Sequence, residues 1–127
     1  MTLHHISLQC TDVTEAAAFY DAALAPLGVS RQLDFAPHAI GYGSVPGQPD
    51  FWIGGFDSGD GFRETHVAFA AKSRDEVDAF FTAAKTLGAE VLHEPRLWPE
   101  YTPSYYGAFV RDPDGNNIEA VTFAEPA

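Results

Sequence analysis

Two stretches decide the fold because each is a version of the other: HISLQCTDVTEAAAFYDAALAPLG, from His5 to Gly28, and HVAFAAKSRDEVDAFFTAAKTLG, from His66 to Gly88. Each opens on a histidine, runs on as an alternating strand, and breaks at polar residues. Each then starts an acidic helix, carries an aromatic pair (Phe19 and Tyr20; Phe80 and Phe81) and closes on Leu-Gly. Similarity of this extent within one chain marks a duplicated structural unit. Seven residues after each histidine stands a helix-capping residue, Asp12 or Ser73, and three residues later a glutamate, Glu15 or Glu76. That is the spacing of a capping box or its Asp-led variant.

Working outward, Val13, Ala16, Ala17, Tyr20, Ala23 and Leu24 recur at helical spacing, as do Val77, Phe80, Phe81, Ala84 and Leu87. Each helix therefore has one apolar face to lay on a sheet. Strand signals follow at Val29 to Leu33, Ala39 to Val45 and Phe51 to Phe56, and again at Ala89 to His93, Tyr106 to Arg111 and Asn117 to Phe123. DPDG, from Asp112 to Gly115, reads as a hairpin turn that sets the register of the last strand. The Gly- and Pro-rich segments Gly54 to Thr65 and Glu94 to Ser104 read as connections. Each half is expected to run strand, helix, strand, strand, strand, with unit one over about residues 1–57 and unit two over about 64–124 of a single α+β domain.

A chain of 127 residues, nearly half of them hydrophobic, can bury one substantial core. A formal charge of -11 repels phosphate backbones and anionic lipid, so neither nucleic acid nor a membrane surface is an expected partner. No apolar run approaches the roughly 20 residues that span a bilayer, and there is no secretory leader pattern, so a cytoplasmic protein is expected. Its one cysteine, Cys10, shares a strand face with Ile6 and Leu8 and reads as a small buried hydrophobe.

Alternation separates the two adjacent histidines of LHHISLQCTD. His4 has the parity of Ile6, Leu8 and Cys10, on the helix-covered side or at a fraying strand start, and its replacement is expected to affect mainly packing. His5 points the other way with Ser7 and Gln9, as His66 does with Ala68 and Ala70. Glu119, flanked by Ile118 and Ala120, falls on the same side of its own strand. Two imidazoles and a carboxylate bind divalent first-row metals and leave positions open for water or substrate. The other reading of these residues is two satisfied sheet histidines and a rim charge. Aromatics between prolines in RLWPEYTPSYYG, namely Trp98, Tyr101, Tyr105 and Tyr106, either pack a long loop on the sheet or cover a flat substrate. Tyr105 or Tyr106 is placed to give a proton or hydrogen bond to a bound oxygen. His38 and His93 have no repeat partner and read as surface or supporting residues. Arg63 and Glu64 read as a surface ion pair or a gate.

HHISLQCTD, THVAFAAKS and above all FVRDPDGNNIEAV resemble the vicinal-oxygen-chelate superfamily of glyoxalases, bleomycin-resistance proteins, extradiol dioxygenases and fosfomycin-resistance thiol transferases. The resemblance implies two βαβββ units forming a U-shaped, eight-stranded mixed sheet around a central cavity, with the helices outside, and a homodimer. It places the metal ligands at His5, His66 and Glu119, for Zn, Mn, Ni, Co or Fe(II). Ser7 falls where the fosfomycin-resistance enzymes have a threonine. Trp52 falls where glyoxalase-type lyases place a further carboxylate, which counts against lactoylglutathione lyase chemistry because an indole is no base. The implied activity is a metal-dependent lyase, dioxygenase or thiol transferase on a small oxygen-chelating substrate, with Ser7, Tyr105 and Tyr106 as candidate catalytic residues and Trp52, Trp98 and Tyr101 as candidate substrate contacts. The competing implication is a metal-free binder of a planar drug-like compound, as in bleomycin resistance.

Overall fold

The computed structural model describes residues 3–56, 59 and 61–126. Asp57, Ser58 and Asp60 of the Gly54–Thr65 connection, with Met1, Thr2 and Ala127, lie outside the described residues. Unit one runs β1 (Ile6–Cys10), α1 (Val13–Leu24), a short 3₁₀ turn (Ala25–Leu27), β2 (Ser30–Phe35), β3 (Ala39–Gly43) and β4 (Phe51–Gly55). Unit two runs β5 (His66–Ala70), α2 (Arg74–Thr86), β6 (Val91–Leu97), β7 (Tyr106–Arg111) and β8 (Asn117–Thr122). The eight strands form two four-stranded mixed sheets, ordered β1-β4-β3-β2 and β5-β8-β7-β6. In each, the first strand pairs in parallel with the last and the remaining ladders are antiparallel.

Capping sets the helix starts. The Asp12 carboxylate accepts from the backbone N–H of Glu15 at 3.0 Å, and the Ser73 hydroxyl accepts from that of Glu76 at 3.2 Å; such caps stabilise a helix by about 1 kcal/mol each. Gly28 and Gly88 close the helical segments at φ 74° and 84°, where a β-carbon would be strained. Strand β6 continues to Leu97, beyond the expected end at His93, because register shifts around His93 let it stay paired with β7 while it bends. No helix among the described residues is long and apolar enough to cross a membrane.

The apolar faces of α1 and α2 meet one face of both sheets in a shared core that includes Tyr20, Leu24, Phe51, Ile53, Phe80 and Ile118. Fully burying a side chain of that size contributes on the order of 2 kcal/mol. The turn between β7 and β8 ties the units together. Asp112 is buried and accepts from the Tyr20 hydroxyl on α1 at 2.5 Å, from the Asn116 side chain at 3.0 Å, and from the backbone N–H groups of Asp114 and Asn116. Asp114 next to it accepts from the Thr11 N–H at 2.9 Å. The turn thus sets register, as expected, and also docks unit two on unit one.

Two outcomes follow for solution behaviour. Burial, and then the negative charge of Asp112, raise the Tyr20 phenol well above its ordinary value of 10.0. A raised tyrosine pKa contributes stability that is complete below pH 10 and is lost as the pH climbs above it. In denaturant titrations Tyr20→Phe should cost about 2 kcal/mol at neutral pH, and the alkaline fall in stability should be shallower than in the parent protein. Cys10 is 1% exposed, and its thiol is pushed up to about 12, first by burial and then by Asp114 and Asp112. An aromatic disulfide reagent at pH 8 should leave native protein unlabelled over hours and label it at once in denaturant.

Candidate functional site

Alternation along β8 sends Ile118 and Ala120 into the core and Glu119 to the face away from the helices. Glu119 is nevertheless only 1% exposed. Its ladder neighbours are Ala68 on β5 and Phe109 on β7. One carboxylate oxygen, Oε1, lies 2.8 Å from Nε2 of His66, and the other, Oε2, accepts from the Tyr105 hydroxyl. Among the described residues no lysine or arginine forms an ion pair with it. Gly107 makes the room: a β-carbon there would stand 3.2 Å from both Glu119 Oε2 and Tyr105 Cε1.

A chain of aromatic contacts holds Tyr105 over the carboxylate. Trp98 is buried, and its indole N–H donates to the Gly107 carbonyl at 3.0 Å. The Arg96 guanidinium lies 3.4 Å from the Trp98 ring centre, and Tyr101 stacks on that ring at 5.7 Å. Tyr101 meets Tyr105 edge-on at 5.0 Å. Phe109 touches both Trp98 and His66, at 5.2 and 5.8 Å between ring centres, and His93 packs edge-on against Trp98 and Phe109. Burial first, and then the bond to Glu119, raise the Tyr105 pKa, so its hydroxyl keeps its proton near neutrality.

Tyr106 is not brought to this site. One residue along the strand, it turns to the helix side, where its hydroxyl donates to Asp78 at 2.8 Å and its ring lies under Arg74. Burial, then Asp78, push that hydroxyl up to about 12. Glu64 pairs with Arg111, not with Arg63. Trp98 has its polar atom satisfied and its ring covered, so it supports Tyr101 and Tyr105 from beneath.

In unit one, Trp52 takes the place that Glu119 has in unit two. Its ladder neighbours are Ser7 on β1 and Gly41 on β3, the counterparts of Ala68 and Phe109. The indole lies so close to β3 that a β-carbon on Gly41 would be 2.8 Å from Trp52 Cζ2. Phe35, 57% exposed, stacks on it at 6.2 Å and 8°. A groove of about 190 Å³ at the seam between the units is lined by Ser7, Gln9, Phe62, Thr65 and Asn116, among others.

His4 and His5 precede the first ladder pair, Ile6 with Phe51, so alternation does not separate them. Both are exposed, with their Nδ1 atoms 2.8 Å apart. His4 therefore does not pack under the helix. The two line a groove of about 300 Å³ with Asp50, Phe51 and Val67–Ala70. His66 is outside that lining, although its strand neighbour Val67 is part of it. Among the described residues no group of three His, Cys, Asp or Glu is arranged to hold a metal ion. One chain brings together His66, Glu119 and Tyr105, but not His5.

Sequence reasoning missed Gly107, Phe109 and Phe35 as parts of these surfaces. Phe109 was within reach, since counting outward from the DPDG turn pairs it with Glu119.

The chain is thus two βαβββ units that carry a histidine, a glutamate and aromatic residues on the helix-free face of their sheets. The chain belongs to the Glyoxalase/Bleomycin resistance protein/Dioxygenase superfamily, whose sequence model matches residues 2–120. It is similar to a glyoxalase/bleomycin resistance protein from Albidiferax ferrireducens T118, with 28% identity, a TM-score of 0.83, and coverage of 96% of this chain and 99% of the other. The fold is shared with a lactoylglutathione lyase from Agrobacterium tumefaciens (22% identity, TM-score 0.68, 95% and 92% coverage). It is shared too with a putative glyoxalase from Bacillus halodurans (23% identity, TM-score 0.71, 95% of each chain). Among curated proteins no sequence match was found.

Tyr105→Phe should leave Glu119 Oε2 buried without its donor and cost about 1–3 kcal/mol. Urea unfolding of protein treated with chelator measures this.

Proposed function

We propose that the protein is a divalent-metal-dependent enzyme acting in the cytoplasm, as a homodimer, on a small molecule that offers one or two oxygens to the metal. His66 and Glu119 of one copy and His5 of the other would hold the ion. One observation carries the reading: the Glu119 carboxylate is 1% exposed, faces away from the core and has an imidazole nitrogen, not a lysine or arginine, beside it. Burying a carboxylate is costly unless a cation or strong donors compensate. An imidazole nitrogen and a carboxylate oxygen 2.8 Å apart are near enough to reach one ion. They are also the donor types that suit Zn, Mn, Ni, Co or Fe(II).

When bound, the metal supplies Lewis-acid polarisation of a substrate oxygen. The chain's own groups do the rest. Tyr105 holds a proton at its Oη, directed at the site, and is placed to donate it to an oxygen that gains charge. Trp98 and Phe109, both buried, back that side of the site, and Tyr101 stacks on Trp98. Trp52 and Phe35 offer a flat apolar surface for the body of the substrate, with the Ser7 hydroxyl beside them. With Trp52 in the register position of Glu119, unit one lacks a carboxylate there, so proton abstraction of the lactoylglutathione lyase kind is left without that base. Ring cleavage and thiol transfer, which use three protein ligands, fit this residue set better.

A second reading draws on a different feature. Both oxygens of Glu119 already have donors, so the site is polar and self-satisfied without a cation. That favours a metal-free binder of planar compounds on the aromatic surfaces.

Mixing separates the possibilities. Zn(II) binding should be lost in His5→Ala and in Glu119→Ala alone. It should return to about a quarter of the sites when the two variants are co-expressed, because half of a random dimer population carries one intact site in two. No recovery would place His5 outside a shared site. Undiminished Zn(II) binding by His66→Ala/Glu119→Ala would overturn the metal reading.

A further inference from the structure

The groove at the seam between the units differs in charge from the rest of the surface. The chain holds 18 acidic residues against seven Lys and Arg, and the other grooves reflect it. One of about 300 Å³ includes Asp50, one of about 410 Å³ includes Glu15, Glu90 and Asp112, and one of about 550 Å³ includes Asp114. The seam groove, of about 190 Å³, has no carboxylate in its lining and has Arg63 instead. Among the described residues Arg63 forms no ion pair, while the adjacent Glu64 is held by Arg111. Ser7 and Gln9, exposed on β1, add a hydroxyl and an amide to the same groove, and Thr65 adds a second hydroxyl. We propose that this groove binds the carboxylate of a planar organic anion whose ring system lies on Trp52.

Size and charge select the ligand. Sites that enclose a whole small molecule measure roughly 300–1,000 Å³, so a groove of about 190 Å³ takes one end of it. Ser7 is the ladder partner of Trp52, so the body of a molecule anchored in the groove has the indole, with Phe35 stacked on it, immediately beside it. A lone guanidinium neutralises one charge, and its fork matches the two oxygens of a carboxylate. A phosphate dianion would keep a negative charge against a protein whose own formal charge is -11. A planar cation, which that overall charge attracts, meets its one local repulsion at Arg63. The inference rests on the proposed role of Trp52 as a platform and makes no use of the metal.

Calorimetric titration of the chelator-treated full chain with 2-naphthoate and with its neutral isostere 2-naphthamide tests the proposal. The parent protein should bind the naphthoate about 10-fold more tightly, as expected for a charge-assisted hydrogen bond at an exposed arginine. Arg63→Gln should bring the two compounds to the same affinity, and Trp52→Ala should weaken both together. Equal affinities in the parent, or a preference for the naphthoate that survives Arg63→Gln, would overturn the anion site and leave the aromatic platform standing. Binding of neither compound would overturn the platform and the anion site together.

Discussion

A buried carboxylate that, among the described residues, pairs with no lysine or arginine is the constraint on which the functional half of this molecule depends. Glu119 sits on the strand that closes unit two, and its neighbours are arranged around it: His66 on β5 at one oxygen, Tyr105 at the other, and Gly107 giving up a side chain so that both fit. The aromatic loop behind them is anchored by the Trp98 indole on the Gly107 carbonyl and by Arg96, which lies over the ring while its guanidinium pairs with Glu100. Tyr105 therefore reaches Glu119 from a packed loop, at low entropic cost. Such an arrangement makes little sense as core stabilisation, since apolar residues would fill the space more favourably.

The second constraint is the β7–β8 turn. Asp112 inside it takes hydrogen bonds from its own turn and from Tyr20 of the other unit, so the hairpin carrying Glu119 is fixed to both halves at once. The duplication also explains the asymmetry of the site. Both units present an equivalent ladder position, but one is filled by a carboxylate and the other by an indole stacked on Phe35. One copy became a polar centre and the other an apolar platform, on one fold.

Much of this was legible from the sequence, for reasons that can be stated residue by residue. Capping at Asp12 and Ser73, helical spacing on either side of the aromatic pairs, and the DPDG turn are local signals, and local signals set element type. Alternation was enough to place Glu119 and His66 on one face. Alternation failed at His4, because it holds only where a ladder exists and the ladder begins two residues later. Tyr105 and Tyr106 could not be told apart until the strand start was fixed at Tyr106, after which one faces Glu119 and the other Asp78. The separation of His5 from His66 depends on how the two units abut, a long-range contact that no local pattern encodes.

A crystal grown with Zn(II) or Co(II) and measured across the metal's absorption edge tests the central claim most directly. An anomalous peak is expected within ligand distance of His66 Nε2 and Glu119, with His5 of a second copy completing the set. A peak elsewhere, or occupied metal with His66 and Glu119 still bonded to each other, would contradict it.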